Sequence, residues 1–184
     1  MNANGTTRNV TAGVGRLVID GINTRDVFCV DFFELIYTNT SYLATTVTTS
    51  IYDPQDGDRA GWLMKNILPQ INLLANGAQK QQWAAALQFA IWDVIHDSGN
   101  GFGSGMIRST SQTNSEVLSK ANEWVIASVG QSFSGRVLVP APGSRGFQEQ
   151  MYVTPEPSSL TMMAIGVLAV AFGAYRRRTP NRES

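Results

Sequence analysis

Residues Trp83–Trp92 read WAAALQFAIW, and every side chain in this stretch except that of Gln88 is apolar. A helix that is apolar on all of its faces is buried. The stretch therefore predicts a central helix, from about Ala78 to His96, around which the other elements pack. A buried primary amide destabilises the fold unless it finds hydrogen-bond partners. Gln88 is therefore either a structural hydrogen-bonding residue or a reacting group.

The segments on either side of this helix predict an α+β domain. A helix from the capping residue Asp58 to Ile67, ended by Pro69, and another from Thr113 to about Val129 flank the central one. Strands at both ends of the domain favour an antiparallel β-sandwich or barrel-like sheet with an inserted helical subdomain. These strands are expected at Arg16–Asp20, Val27–Phe33, Tyr42–Tyr52 and Arg136–Val139.

The domain organisation follows from length and composition. We predict one domain over residues 1–139, a linker over 140–154 and a C-terminal segment over 155–184. A body of about 150 residues is enough chain to build one hydrophobic core. The C-terminal segment holds four of the 14 basic and two of the 14 acidic residues, which leaves ten basic and twelve acidic residues in the body. This slightly acidic body offers no basic face for nucleic acid.

The chain has a single cysteine, Cys29, so it cannot form an internal disulfide. Cys29 lies in the apolar stretch Val27–Asp31, which reads VFCVD. Considered alone, it is most simply a small buried side chain, as free cysteines commonly are.

Taken together, Cys29 and Gln88 resemble the paired residues of bacterial surface thioester domains. In that family a cysteine on an early strand is joined to the glutamine of a downstream Gln-x-Ala-Ile-Trp helix, here Gln88–Trp92. The resemblance spans Val18–Asp97, with Leu87 where a threonine commonly precedes the glutamine. It implies a thioester cross-link between Cys29 and Gln88, open to attack by an amine or hydroxyl on a surface or matrix target. The alternative is an unreacted Cys–Gln pair in the core.

The C-terminal segment has three parts in a fixed order. Pro155, Glu156 and Pro157 precede an uncharged, largely apolar run, Leu160–Tyr175, and the run is followed by Arg176, Arg177 and Arg178. The run is short against the roughly 20 residues that span a bilayer core. Basic residues after such a run stay on the cytoplasmic side, which would leave the body of the protein outside.

These three parts resemble the PEP-CTERM sorting signal of Gram-negative bacteria that make exopolysaccharide. The resemblance implies recognition by an exosortase-type membrane peptidase and cleavage near Pro155–Pro157. The hydrophobic sorting helix would hold the protein in the inner membrane transiently, before the protein reaches the cell surface or extracellular matrix. Because Met1–Val10 has neither the basic nor the apolar region of a signal peptide, we expect an in-frame segment upstream of Met1.

Other candidate sites have simpler explanations. His96 lies two helical turns beyond Gln88, too far along the helix axis to act on its amide directly. The acidic turn Asp53–Asp58 does not match a calcium-binding EF-hand loop. The glycine-rich run Gly99–Gly105 follows a helix and lacks the context of a phosphate-binding loop. The four tryptophans are expected in the core: Trp62, Trp83, Trp92 and Trp124.

Two functions remain open from the sequence. The first is a covalent adhesin or matrix cross-linker that uses the Cys29–Gln88 thioester. The second is a non-covalent structural component of an exopolysaccharide or biofilm matrix, with Cys29 and Gln88 as core residues. No acid–base or serine–histidine arrangement is evident, so we predict no enzymatic activity, no cofactor and no metal.

Overall fold

The computed structural model describes residues 2–3, 6–7, 10, 12–34, 39–142 and 147–154. Residues Met1–Val153 form one compact unit, and Thr154–Ser184 form a second, of which all but Thr154 lies outside the described residues. The predicted sorting helix therefore also lies outside them. Within the described residues, no helix is long and apolar enough to cross a membrane.

The described part of the chain is α+β, as predicted, with a five-stranded antiparallel sheet and four helices. The order across the sheet is β3-β4-β8-β7-β5, and each neighbouring pair is antiparallel. Its strands are β3 (Gly15–Ile19), β4 (Asn23–Cys29), β5 (Ala44–Thr48), β7 (Arg136–Pro140) and β8 (Gln150–Tyr152). A small second sheet has the order β2-β1-β6, with β1 at Asn2–Ala3, β2 at Thr6–Thr7 and β6 at Ile107–Arg108.

All four described helices come between β5 and β7, so the helical insertion is confirmed. They are α1 (Thr49–Tyr52), α2 (Gly57–Leu73), α3 (Ala78–Asp97) and α4 (Ser115–Ala127). The segment Tyr42–Tyr52, predicted as one strand, is divided between β5 and α1. In α4 the capping residue is Asn114, whose side chain accepts the backbone N–H groups of Glu116 and Val117.

Two predictions about α2 are wrong. Pro69 does not end the helix, which continues to Leu73. A proline removes one helical hydrogen bond, but Leu68 and Ile71 on either side of it are buried, and their burial favours continuation. Asp58 is not the capping residue either. It lies inside the first turn, where its carboxylate accepts the Thr49 hydroxyl.

The predicted linker over residues 140–154 is also wrong. β8 lies within it and occupies the position between β4 and β7 in the sheet. All three residues of β8 are buried. A three-residue strand that contains a glutamine has no local pattern to reveal it. Its stability comes from partners far away in the sequence, with Met151 opposite both Phe28 and Val137.

The core lies between the sheet and the helices. Phe28, Val137 and Met151 occupy one row across the sheet and belong to the same buried cluster as the apolar residues of α2, α3 and α4. The central segment of α3 is buried along its length from Ala86 to Val94, which confirms the prediction from WAAALQFAIW. Trp92 and Trp124 are buried, and Trp62 and Trp83 pack against the cluster, as expected.

The C-terminal end of α3 contains a buried carboxyl group. Asp93 is fully buried, and its Oδ2 accepts the backbone N–H of Gly101 at 3.1 Å. Its Oδ1 has no hydrogen-bond partner within the described part of the chain. Burial raises the pKa of Asp93 to about 6, against the lowering effect of the Gly101 hydrogen bond.

Asp93 is expected to make the domain less stable as pH rises. A carboxyl group whose folded pKa exceeds its unfolded value stabilises the fold at low pH, and this contribution is lost as pH rises from about 4 through about 6. Asp93→Asn should therefore raise the free energy of unfolding at pH 8 by about 3 kcal/mol, since each pKa unit corresponds to about 1.4 kcal/mol. Urea denaturation at pH 4 and pH 8 measures this, with the exposed Asp20→Asn as control. A gain of equal size at both pH values would contradict the prediction.

Candidate functional site at Cys29 and Gln88

The site begins where β4 runs past the end of β3. Gly15, the first residue of β3, is opposite Val27, so β3 offers no strand partner to Cys29 two residues later. Val30 directs its backbone N–H to Glu149, on the β8 side. Because backbone groups alternate along a strand, those of Cys29 point to the other side, where β3 has no residue to pair with them.

The side chain of Gln88 fills this gap. The N–H of Cys29 donates to Gln88 Oε1 at 2.9 Å, and Gln88 Nε2 donates to the carbonyl oxygen of Cys29 at 2.7 Å. The amide thus pairs with Cys29 as a neighbouring strand would. The two residues predicted from the sequence to act together are in contact, and both are buried, with 6% of Cys29 and 1% of Gln88 exposed.

The sulfur atom has a different partner, Gln150. This residue lies in β8, directly opposite Cys29. Its Nε2 is 3.3 Å and its Oε1 3.6 Å from Cys29 Sγ. Nothing in the sequence distinguished Gln150, because the strand that places it there was itself missed.

A second glutamine of the same segment fixes the residues after Cys29. Gln148 Nε2 donates to the carbonyl oxygen of Asp31. With the bond from Val30 to Glu149, the segment Gln148–Gln150 runs alongside Cys29–Asp31. Three glutamine amides therefore bind the chain between Cys29 and Asp31.

The electrostatics of the site keep the sulfur protonated at neutral pH. Burial raises the pKa of the Cys29 thiol to about 11, with an added contribution from the Asp31 carboxylate. The hydrogen bond from Gln150 acts in the opposite direction and lowers it. At pH 7 a thiol with this pKa is ionised in roughly one molecule in ten thousand. The thiolate is the reactive form, so its scarcity limits any reaction of Cys29.

His96 lies closer to this site than its distance from Gln88 along the helix suggests. Its Nε2 is 2.9 Å from the carbonyl oxygen of Val30, to which it donates in the tautomer that carries hydrogen on Nε2. Its ring meets that of Phe33 edge to face. The hydrogen bond is to the backbone beside Cys29, so His96 supports the strand end.

The remaining candidates have structural contacts. Asp53 accepts the backbone N–H groups of Gln55 and Asp56, which makes the acidic turn a capped turn. Asp97 binds the backbone N–H groups of Met106 and Ile107, which closes the glycine-rich run onto the end of α3. Among the described residues, no group of three or more acidic, histidine or cysteine side chains is placed to hold a metal ion.

The C-terminal residues match a known sorting signal. Residues 153–178 match the model of the PEP-CTERM protein-sorting motif, which confirms the sorting signal predicted from the sequence. The predicted motif residues Pro155, Glu156, Pro157 and Arg176–Arg178 all fall in this range, although they lie outside the described residues. A chain with this signal is an exported protein, and the signal is the one recognised by exosortase, a membrane protease.

The structure is similar to that of the N-terminal thioester domain of a surface protein from Clostridium perfringens. The two share 12% sequence identity with a TM-score of 0.47, over 73% of this chain and 83% of the Clostridium chain. No curated protein matches the sequence.

Proposed function

We propose that this exported protein works at the cell surface or in the extracellular matrix and carries an internal thioester between Cys29 and Gln88. The observation that carries the proposal is the pair of hydrogen bonds that holds the Gln88 amide against Cys29. Holding a nucleophile and an acyl group together in a packed interior supplies a high effective molarity. An amide and a thiol react very slowly in free solution, so the reaction depends on this high effective molarity.

The bond-forming step uses only groups of this chain. Cys29 Sγ attacks Gln88 Cδ, the Cδ–Nε2 bond breaks, and the thiol proton leaves with the nitrogen as ammonia. Charge develops on Oε1 during the attack. The Cys29 N–H already lies 2.9 Å from this atom, where it stabilises the developing oxyanion. Burial of both residues keeps water from hydrolysing the product.

The second step joins the protein to its target. An amine or hydroxyl on a surface or matrix partner attacks the thioester carbonyl and releases the Cys29 thiol. The product is an amide or ester at Gln88, so each protein molecule reacts once. This makes the protein a single-use adhesin or cross-linker, without turnover and without a cofactor.

A second candidate function is a non-covalent matrix component with Cys29 and Gln88 as core residues. The raised pKa of the buried Cys29 thiol favours this alternative, because little of the reactive thiolate is present at neutral pH. Both polar atoms of Gln88 are also satisfied by the backbone of Cys29 without any reaction.

Intact mass separates the two functions. If the thioester forms, the exported protein is lighter than its sequence by one ammonia, and methylamine adds to Gln88 and frees the thiol. Cys29→Ala should abolish both effects and keep the hydrogen bonds of Gln88, which go to the backbone of Cys29. Gln88→Glu has no ammonia to expel. Full mass and no methylamine adduct in protein from its own host would support the non-covalent function.

We also propose that exosortase removes the C-terminal tail, after a transient stay in the inner membrane. In a host with an exosortase, the mature protein should lack Leu160–Ser184, because the matched signal contains the Pro-Glu-Pro motif followed by an apolar run and a basic end. Mass spectrometry of the C-terminal peptide measures this, with an exosortase-deletion strain as the control. Recovery of an intact C-terminus on secreted protein would contradict the proposal.

A further inference from the structure

We propose that Gln150 is a third member of the site, which holds the Cys29 sulfur and stabilises its thiolate form. Gln150 lies opposite Cys29 in the sheet and is buried, with 4% of its surface exposed. Its Nε2 and Oε1 lie 3.3 and 3.6 Å from Cys29 Sγ. Gln150 Nε2 also lies 3.4 Å from the carbonyl oxygen of Gln148, which restrains the amide from the other side.

A primary amide suits both protonation states of the sulfur. In the thiol state, the S–H group donates to Oε1. In the thiolate state, the Nε2–H group donates to the charged sulfur. Burial and the nearby Asp31 carboxylate both lower the population of the Cys29 thiolate. The Nε2–H group of Gln150 acts against both effects, because it donates a hydrogen bond to the charged sulfur. A hydrogen bond to a charged sulfur raises the thiolate population roughly tenfold or more.

The two glutamines at Cys29 have separate tasks. Gln88 is the acyl donor, and its amide is bound to the backbone of Cys29. Gln150 binds the Cys29 sulfur. When the bond between Cys29 Sγ and Gln88 Cδ forms, ammonia departs with the thiol proton and the sulfur gives up its contact with Gln150. The effect of Gln150 on this step rests on the proposed function. The contact between Gln150 and the sulfur does not depend on the proposed function. The contact and the effect on bond formation can therefore be tested separately.

The contact is tested in a full-length chain that cannot form the bond. Gln88→Glu retains the thiol, and a single cysteine gives a single S–H stretching band in the Raman spectrum. Adding Gln150→Leu removes the acceptor and should shift this band to higher wavenumber. Gln148→Leu in the same background is the matched control, because its amide binds Asp31 instead of sulfur. A band that does not move when Gln150 is replaced overturns the inference.

A second measurement covers the case in which leucine at position 150 prevents folding. Gln150→Glu in the Gln88→Glu background keeps the size of the side chain but replaces the donor with an acid. Alkylation of Cys29 at pH 9 should become slower by about tenfold or more, because the thiolate loses its hydrogen bond. An alkylation rate equal to that of Gln88→Glu alone overturns the inference.

The effect on bond formation is measured in the otherwise unaltered chain. Refolded Gln150→Leu protein should lose ammonia at least about tenfold more slowly than the natural sequence, while a change at the exposed Gln81, Gln81→Leu, should not slow it. Equal rates overturn the role of Gln150 in the step. If the natural chain keeps its full mass but the Raman band shifts as expected, the thioester fails and the Gln150–sulfur contact stands.

Discussion

Replacing Gln88 with alanine is expected to lower the free energy of unfolding by about 2–6 kcal/mol, measured in a Cys29→Ala background where no thioester can form. The Gln88 amide is the partner of both the N–H and the carbonyl of Cys29. Its removal leaves two buried backbone groups unpaired and a cavity between the middle of α3 and Cys29. Each buried unpaired group costs about 1–3 kcal/mol. Urea denaturation of Cys29→Ala and Cys29→Ala/Gln88→Ala measures the difference.

The matched control is Gln81→Ala, a glutamine of the same helix that is exposed to solvent. Because alanine is a strong helix former, this change should be neutral to within about 0.5 kcal/mol. A Gln88→Ala effect as small as that of Gln81→Ala would mean that water or local rearrangement satisfies Cys29. The strand-like role of the Gln88 amide would then be wrong.

Gly61→Ala is expected to destabilise the domain by about 3 kcal/mol or more. Gly61 lies inside α2, where helix propensity alone predicts a gain of about 1 kcal/mol from alanine. However, a Cβ atom at this position would lie 2.1 Å from the carbonyl oxygen of Phe133 and 3.1 Å from the nitrogen of Gly135. Both are backbone atoms, so relieving the clash requires α2 to move away from the segment that leads into β7.

Gly103→Ala provides the control for this prediction, since a Cβ atom there meets nothing within 4 Å. Thermal or urea denaturation of both variants shows whether each substitution raises or lowers the free energy of unfolding. If Gly61→Ala were as stable as the natural chain, the gain in stability from helix propensity would equal or exceed the cost of the clash with residues 133–135. The packing of α2 against residues 133–135 would then be looser than the structure has it.

The sequence predicts the centre of this fold well, because its strongest signal is local. The apolar run around Gln88 is long enough to identify α3 and to show that its one amide must have partners. The pairing with Cys29 came from the resemblance to thioester domains, and the structure places the two residues in contact. The chemistry that this contact permits stays a prediction.

The rest of the site could not be predicted because it depends on long-range pairing. β8 is three residues long and follows a segment with the composition of a linker, so nothing local marks it as a strand. Without β8, Gln150 could not be placed beside the sulfur. Pro69 shows the opposite case, in which a strong local signal is outweighed by the burial of neighbouring apolar residues.

The position of β8 has a mechanical consequence. The chain leaves the sheet at the end of this strand, so a force that pulls on the residues after Val153 enters the fold at Tyr152. β8 is flanked by β4 on one side and β7 on the other, and a load applied there is shared by both partners. If a target is joined at Gln88, the contacts that connect it to β8 are the hydrogen bonds between Gln88 and Cys29 and the pairing of Cys29 with Gln150. The edge strands β3 and β5 then lie outside the stressed path.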